Sequence, residues 1–472
     1  MADSYAEQAE ELVSRLNHDA MFLAESQRYY EALHRPAAVG ISVPREMEKL
    51  TAAIGWPRLY LDSIEERLDL EGFRLASTEG ADHQDAVDEL TRWWKSNALD
   101  EESSMAHLDA LIYGRTYVTV TAPAEGADDP STPIIRVESP TVMYAETDPL
   151  TRKVTRAVRV YSNADGSVQG AALFLPDEVV YLTYQGGRWV VDPAYPGIQH
   201  SLGEVPVVPI VNRERLSDRH GRSEITPELR SITDAASRIM MDMQAAAEMM
   251  AVPQRVLFGV DAGSLAPNGS PAEVFNAYMA QILAIESPEG KAQQFQAAEL
   301  MNFVNVLQEL SKHVAAYTGL PPQYLSFSSE NPASAEAIKS SEARLVKKCE
   351  RKARMFGGSW EAVMRLAMRV MGREVPPEFS RLEAVWRDPS TPTYAAKADG
   401  VTKLYANGMG IITKRRARED MGYSEEEIRE MEEQEQAEQG ELRNLADILG
   451  AAQQRPAGPA EQSAPADGDE AA

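Results

Sequence analysis

Residues Gly221–Gly259 read GRSEITPELRSITDAASRIMMDMQAAAEMMAVPQRVLFG, and the chain is organised around them. Thr226 offers a side-chain oxygen to the free backbone N–H groups of a helix start, and Pro227 suits the first helical position, where its missing N–H costs nothing. Leu229, Ile232, Ala236, Ile239, Met243, Ala247 and Met250 then recur at three- and four-residue steps, which puts one apolar stripe on a helix. No Gly or Pro interrupts before Pro253, so the spacing predicts a helix from Pro227 to about Met250. At 1.5 Å per residue its length is roughly 36 Å, long for a globular helix. Methionine and alanine along the stripe suit close, adaptable packing against other helices. Taken alone, the stretch is a core helix of a large domain.

A second helix changes that reading. Ala297–Leu320 carries Leu300, Phe303, Val304, Leu307, Leu310, Val314 and Tyr317 at the same spacing, and Gly319 with Pro321–Pro322 ends it sharply. Between the two lies Val260–Lys291, a segment punctuated by Gly, Pro and Ser with few apolar residues. Two long helices of matched length joined by a small subdomain predict an antiparallel stalk with a knob at its end.

On the N-terminal side, residues 1 to about 115 read as helical, with Trp93–Trp94 supplying core packing and one partly exposed ring. His107 stands alone, without a second ligand at metal spacing, and reads as structural. From Tyr117 to Val211 the pattern switches to eight short β-rich runs separated by turn signals such as Asp148-Pro149 and Gly186-Gly187, an antiparallel β subdomain. Pro206 and Pro209 point to an edge strand for the last run.

On the C-terminal side, PPQYLSFSSENPA (Pro321–Ala333) has a polar, serine-rich centre without helical periodicity. Asn331 caps a long helix with Pro332 at its first position, reaching Val370 or Met371. Lys347, Lys348, Arg351, Lys352 and Arg354 make this helix basic; pairing with acidic residues is preferred to facing DNA. Gly357-Gly358 is expected to kink it. A Pro-rich link and helices over Tyr394–Ala406 and Thr413–Met421 follow, then a capping box of Ser424 and Glu427 before a glutamate-rich helix. The Pro/Ala/Gly/acid composition of the end reads as disordered.

The 472 residues suffice for two or three domains, and the single cysteine, Cys349, allows neither an internal disulfide nor a thiolate metal site. The N-terminus lacks the basic start and apolar run of a signal peptide, and no stretch approaches a membrane span, so a soluble cytosolic product is expected. A formal charge of −26 argues against a protein that grips DNA; it allows a wall past which phosphates slide without pointing to one. No phosphate loop, H-E-x-x-H or G-x-S-x-G occurs. No catalytic, cofactor or metal residue is assigned, and an enzyme is not expected.

Six segments, in this order and spacing, resemble the portal proteins (head–tail connectors) of tailed double-stranded-DNA bacteriophages, in particular the actinobacteriophage branch. They are HLDALIYGRTYVTV (His107–Val120), VESPTVMYAETDP (Val137–Pro149), VPVVPIVNRERLSDRHGRSEIT (Val205–Thr226), AVPQRVLFG (Ala251–Gly259), TGLPPQYLSFSSENPASAEAI (Thr318–Ile338) and VWRDPSTPT (Val385–Thr393). The resemblance implies an α+β class, a mainly α portal fold. Residues 1–222 would form a wing of helices and then antiparallel strands, 223–255 the first stem helix, 256–296 the clip and 297–322 the second stem helix. The tunnel loop would be 323–333, a long helix returning to the wing 334–372, a helical crown 373–445 and a disordered acidic tail 446–472. It also implies a ring, twelve-membered in the family's usual form, at one capsid vertex, with no membrane and no cofactor. Its partners would be the terminase large subunit, which supplies the ATPase, the major capsid and scaffold proteins, a head-completion connector protein, and double-stranded DNA passing non-specifically. Gln323, Ser326, Phe327, Ser328, Ser329, Glu330 and Asn331 would be the channel-facing tunnel loop. Two rivals remain at this stage: another virion structural or scaffold-associated protein without a DNA channel, and an enzyme with a convergent polar pocket.

Overall fold

The computed structural model describes residues 2–34, 52–75, 84–124, 126–195, 197–251, 255–258, 282–285, 299–325, 335–390, 394–423 and 427–440. Helix and sheet are mixed, in keeping with an α+β class, and the chain divides into two compact units, Met1–Ser390 and Thr391–Ala472.

The first unit begins with helices α1 (Ala2–Tyr30) and α2 (Trp56–Glu65), strand β1 (Leu70–Leu75), and helices α3 (Gln84–Ser96) and α4 (Leu99–Tyr113). All eight expected β runs then form strands: β2 (Arg115–Thr121), β3 (Ile134–Glu138), β4 (Met143–Thr147), β5 (Val154–Ser162), β6 (Val168–Phe174), β7 (Glu178–Gln185), β8 (Arg188–Val191) and, after the two-residue β9 (Ile198–Gln199), β10 (Val207–Val211). They build two antiparallel sheets rather than one. One has the order β10-β2-β3; the other has the order β4-β5-β6-β7-β8, with β9 paired to β7. β10 is an edge strand, as its prolines require, and the Pro209 carbonyl accepts a bond from Ser359 Oγ at 3.1 Å. The larger sheet is covered by α1: Ala9, Leu12 and Leu16, one helical face, bury against Tyr144, Val158, Leu182 and Trp189.

After the sheets come α5 (Pro227–Ala251), the short strands β11 (Arg255–Phe258) and β12 (Ile282–Ile285), α6 (Leu300–Thr318), a single 3-10 turn at Pro322–Tyr324, α7 (Ala335–Val370) and β13 (Leu382–Trp386). β11 and β12 pair in parallel, closing the ends of the insertion. The rest of the expected knob, Val260–Lys291, lies outside the described residues except for β12.

α5 begins at Pro227 with the Leu229 N–H donating to Thr226 Oγ1 at 3.4 Å, the anticipated cap. α6 runs back along it, and Tyr317, near its end, reaches Thr226 Oγ1 at 2.9 Å and Glu228 at 3.0 Å beside the start of α5. Within one chain the stripe on α6 is sealed only near that end, at Val314, Ala315 and Thr318. Leu300, Phe303, Val304, Leu307 and Leu310 are half-buried, and Met301 is 63 % exposed.

Three local expectations are corrected. Leu70–Leu75, inside the region read as helical, is a strand paired antiparallel with Leu382–Trp386. The pairing works because Phe73 and Leu70 point into an aromatic core while Glu71 and Arg74 face solvent. Both Trp93 and Trp94 are buried in that core, and neither ring is exposed. α7 runs unbroken for 36 residues through Gly357-Gly358. A Cβ at Gly357 would stand 3.0 Å from Trp386 Nε1 and 3.3 Å from Ala384 Cβ, so the glycine lets β13 lie against the helix instead of bending it.

In the second unit, α8 (Tyr394–Tyr405) packs with α9 (Lys414–Met421), and a further helix, α10, spans residues 427–440. Thr413 caps α9 by accepting from the Arg416 N–H at 3.2 Å, and Arg415 pairs with Glu432 at 3.4 Å. Ser424, the expected cap of α10, lies outside the described residues. The expected crown range 373–445 straddles the division, since residues 373–390 belong to the first unit.

Candidate functional site

Of the loop residues singled out from the sequence, Gln323 is described. It sits in the 3-10 turn, and its amide donates to Ser341 Oγ on α7 at 2.9 Å. Ser326, Phe327, Ser328, Ser329, Glu330 and Asn331 lie outside the described residues. What the structure does show is how the approach to that loop is fixed. Leu320, Pro321 and Leu325 are buried. The Tyr324 hydroxyl donates to Glu342 Oε1 at 2.8 Å and accepts from Arg67 Nη2 at 2.9 Å, and Arg67 and Glu342 form a buried ion pair at 3.6 Å. Burial, then the Glu342 carboxylate, raise the Tyr324 phenol, so it stays protonated as a donor. The segment entering the loop is thus tied to α7 and to the end of α2.

A second constellation holds the start of α5, and nothing in the sequence pattern announced it. The chain crosses itself where α4 ends. Asn212 N–H donates to Gly114 O at 2.8 Å, Arg222 N–H to Asn212 O at 2.9 Å, and Glu224 N–H to Leu111 O at 2.9 Å. The crossing delivers Glu224, three residues ahead of α5, to a buried site on α7. There Lys352 Nζ bonds Glu224 Oε1 and reaches Asn212 Oδ1 at 2.5 Å; Tyr60 donates to Glu224 Oε2 at 2.7 Å, and Lys348 Nζ lies 3.6 Å from it. Burial by itself would raise the Glu224 carboxyl, but the ammonium groups of Lys352 and Lys348 outweigh it and hold it at about 2. The Tyr60 phenol is pushed up, by burial first and the Glu224 charge second.

The expected basic cluster on α7 therefore divides. Lys348 and Lys352, four residues apart and on one face, turn inward to Glu224 as structural partners. Lys347 pairs with Glu350 at 2.6 Å on the surface, and Arg351 and Arg354 are exposed.

The sign of the pH dependence follows from the depressed Glu224 carboxyl. Unfolded, it titrates near its ordinary 4.5 and folded at about 2, so its stabilisation is complete above 4.5 and is lost as the pH falls from 4.5 to 2. The gap in denaturation midpoint between the wild type and Glu224→Gln is expected to be constant from pH 5 to 7 and to narrow below 4.5. A gap that stays constant down to pH 3 would contradict the assignment.

Other titratable groups are sealed away. His107 is fully buried, accepts from Trp360 Nε1 at 2.9 Å and stacks on Phe356; burial pushes it down to about 3, in line with a structural role. Burial pushes the Cys349 thiol up to about 11. Among the described residues no three His, Cys, Asp or Glu side chains are placed to hold a metal ion, and no helix is long and apolar enough to cross a membrane.

The fold mixes helix and sheet, packs α5 and α6 in opposite directions, and ties the segment after α6 to α7. Residues 11–441 match the family described as phage portal protein, SPP1 Gp6-like, and the chain belongs to that family. It is 52 % identical over 428 residues to the portal protein of Mycobacterium phage L5, covering 89 % of this chain and 86 % of the other. To the portal protein of Mycobacterium phage D29 it is 53 % identical over 428 residues, 89 % and 87 % of the two chains. The actinobacteriophage branch is thereby shown, and with it a component of the phage head. Portal proteins are structural, form oligomeric rings and interact with capsid and terminase.

Proposed function

We propose that twelve copies of this chain close into a ring at one capsid vertex, and that its channel passes double-stranded DNA inward during packaging and outward during ejection. The observation that carries this is portal-family identity over 428 residues, a span that takes in both long helices and the loop between α6 and α7. In this reading residues 1–222 are the wing, α5 and α6 the stem, 256–296 the clip, and 323–333 the tunnel loop, with α7 returning to the wing. The crown comes from 373–445, and the tail from 446–472. The clip receives the terminase large subunit during packaging and a head-completion protein afterwards, while major capsid and scaffold proteins meet the wing during assembly in the host cytoplasm. Stem helices pack side by side around the ring, so the half-buried Leu300, Phe303 and Leu307 and the exposed Met301 are covered by the next subunit. DNA is guided by sterics and weak polar contacts from Gln323 and Ser326 to Asn331, because a chain of net charge −26 offers phosphates little to grip.

The test is to replace residues 326–331 with a short Gly-Ser linker in an otherwise intact phage. Rings of unchanged mass are expected, since the anchors Tyr324, Arg67 and Glu342 remain, while the yield of DNA-filled heads falls sharply. Packaging at the wild-type level would overturn the assignment.

A further inference from the structure

The two halves of the α7 basic cluster have different fates, and the outward half is unexplained by anything above. Arg344, Lys347, Arg351 and Arg354 follow one another at three- and four-residue steps and are all exposed, so they form one cationic stripe along the helix. Arg344 donates to the Ala316 carbonyl near the end of α6, and Lys347 has Glu350. Arg351 and Arg354 make no hydrogen bond or ion pair among the described residues.

Beside this stripe lies the loop between β10 and α5. It is held against α7 by the Arg213 N–H on Met355 Sδ at 3.2 Å and by Lys352, whose Nζ lies 4.0 Å from Glu214. The loop adds the exposed Arg215 and Arg219. Its other acid, Asp218, is spent on the loop's own backbone, accepting from the Arg215 N–H at 2.9 Å. At its tip Leu216 is 84 % exposed. Arginines around a projecting leucine, on a chain with 47 basic and 73 acidic side chains, form a patch of sign opposite to the rest of the molecule.

We infer that this patch, Arg351 and Arg354 with Arg215, Arg219 and Leu216, seats on an acidic face of the next copy of the same chain. The inference rests on the ring reading above. Closure of a ring by rotation needs two unlike, complementary patches on each subunit, one meeting the other head to tail. The cationic patch is one such surface, and carboxylate-bearing faces of the opposite kind are plentiful. The outward side of α1, for example, exposes Glu7 and Glu10, with Met21 82 % exposed further along. Arginine and projecting apolar side chains mark protein interfaces, whereas a phosphate backbone has no use for Leu216. A subunit in a ring has two neighbours, so a modest weakening at each junction acts on every joint at once.

The test uses the full chain. Ring dissociation is followed by light scattering across a salt series for the wild type, Arg351→Glu with Arg354→Glu, and the milder Arg351→Gln with Arg354→Gln, alongside thermal melts of each. Arg351 and Arg354 make no hydrogen bond or ion pair among the described residues, so unchanged melts are expected. The charge-reversed ring is expected to fall apart at about half the salt concentration the wild type tolerates, and the neutral variant in between, because screened ion pairs set the salt dependence of association. Rings of the charge-reversed variant with wild-type salt tolerance would overturn the inference while leaving the ring reading intact; if its packaging nevertheless fell, the patch would belong to DNA phosphates. A wild-type protein that forms no ring even with scaffold and capsid protein present would instead overturn the ring reading itself.

Discussion

Lys352→Ala is expected to lower the unfolding free energy by about 3–5 kcal/mol, the cost of breaking a buried ion pair by removing one partner. The lysine side chain is 2 % exposed and the Glu224 side chain 4 %. Deleting the ammonium leaves a carboxylate with Tyr60, the Asn212 amide at 3.1 Å and the more distant Lys348, in a site where an uncompensated charge is poorly solvated. Asn212 Oδ1 loses its donor as well. The effect is not confined to stability. Glu224 stands three residues ahead of α5, so loosening it frees the direction in which the first stem helix leaves the wing. The double variant Glu224→Leu with Lys352→Met is expected to recover part of the loss, because an apolar pair carries no desolvation cost, although Asn212 Oδ1 loses its donor and the Tyr60 hydroxyl its acceptor. Denaturant midpoints of the three variants check this; a loss below about 1 kcal/mol for Lys352→Ala would place the pair among inconsequential surface bridges.

Gly221→Ala is expected to cost about 2–5 kcal/mol, from a strained backbone and an overpacked contact together. Its φ is +86°, and a Cβ there would stand 1.9 Å from the Gly114 carbonyl oxygen, with Val211 Cγ1 at 3.1 Å on another side. The carbonyl cannot retreat. Gly114 closes α4 in a left-handed conformation, with its N–H on Ala110 O and its own oxygen accepting from Asn212. The control is Gly187→Ala, at φ +81° with nothing within 4 Å, where only the conformational cost of about 1 kcal/mol applies. Equal losses at the two positions, read from thermal or denaturant unfolding, would show that the crossing yields easily.

Both sites illustrate what a single sequence makes legible. α5 was readable from Thr226 to its end because its cap, its proline and its stripe are all local. The strands from β2 to β8 were readable for the same reason, each having alternation and a flanking turn. β1 was not, since six residues among charges become a strand only through β13, more than 300 positions away. Gly357-Gly358 misled because glycine lowers helix propensity, whereas tertiary contact with Trp386 decided the outcome. The helical period already separates Lys348 and Lys352 from Lys347, Arg351 and Arg354, but it could not say which set faces inward, because the partner that decides it, Glu224, lies outside the helix. Gln323 could be placed in a polar connection from composition, yet its bond to Ser341 depends on how α7 folds back.

The central claim is the closed ring, and the mass of the purified assembly tests it most directly, by native mass spectrometry with negative-stain images of the same sample. Twelve subunits of 52.0 kDa predict a particle of about 620 kDa with a central hole. A discrete dimer without a hole, persisting in the presence of scaffold and capsid protein, would contradict it.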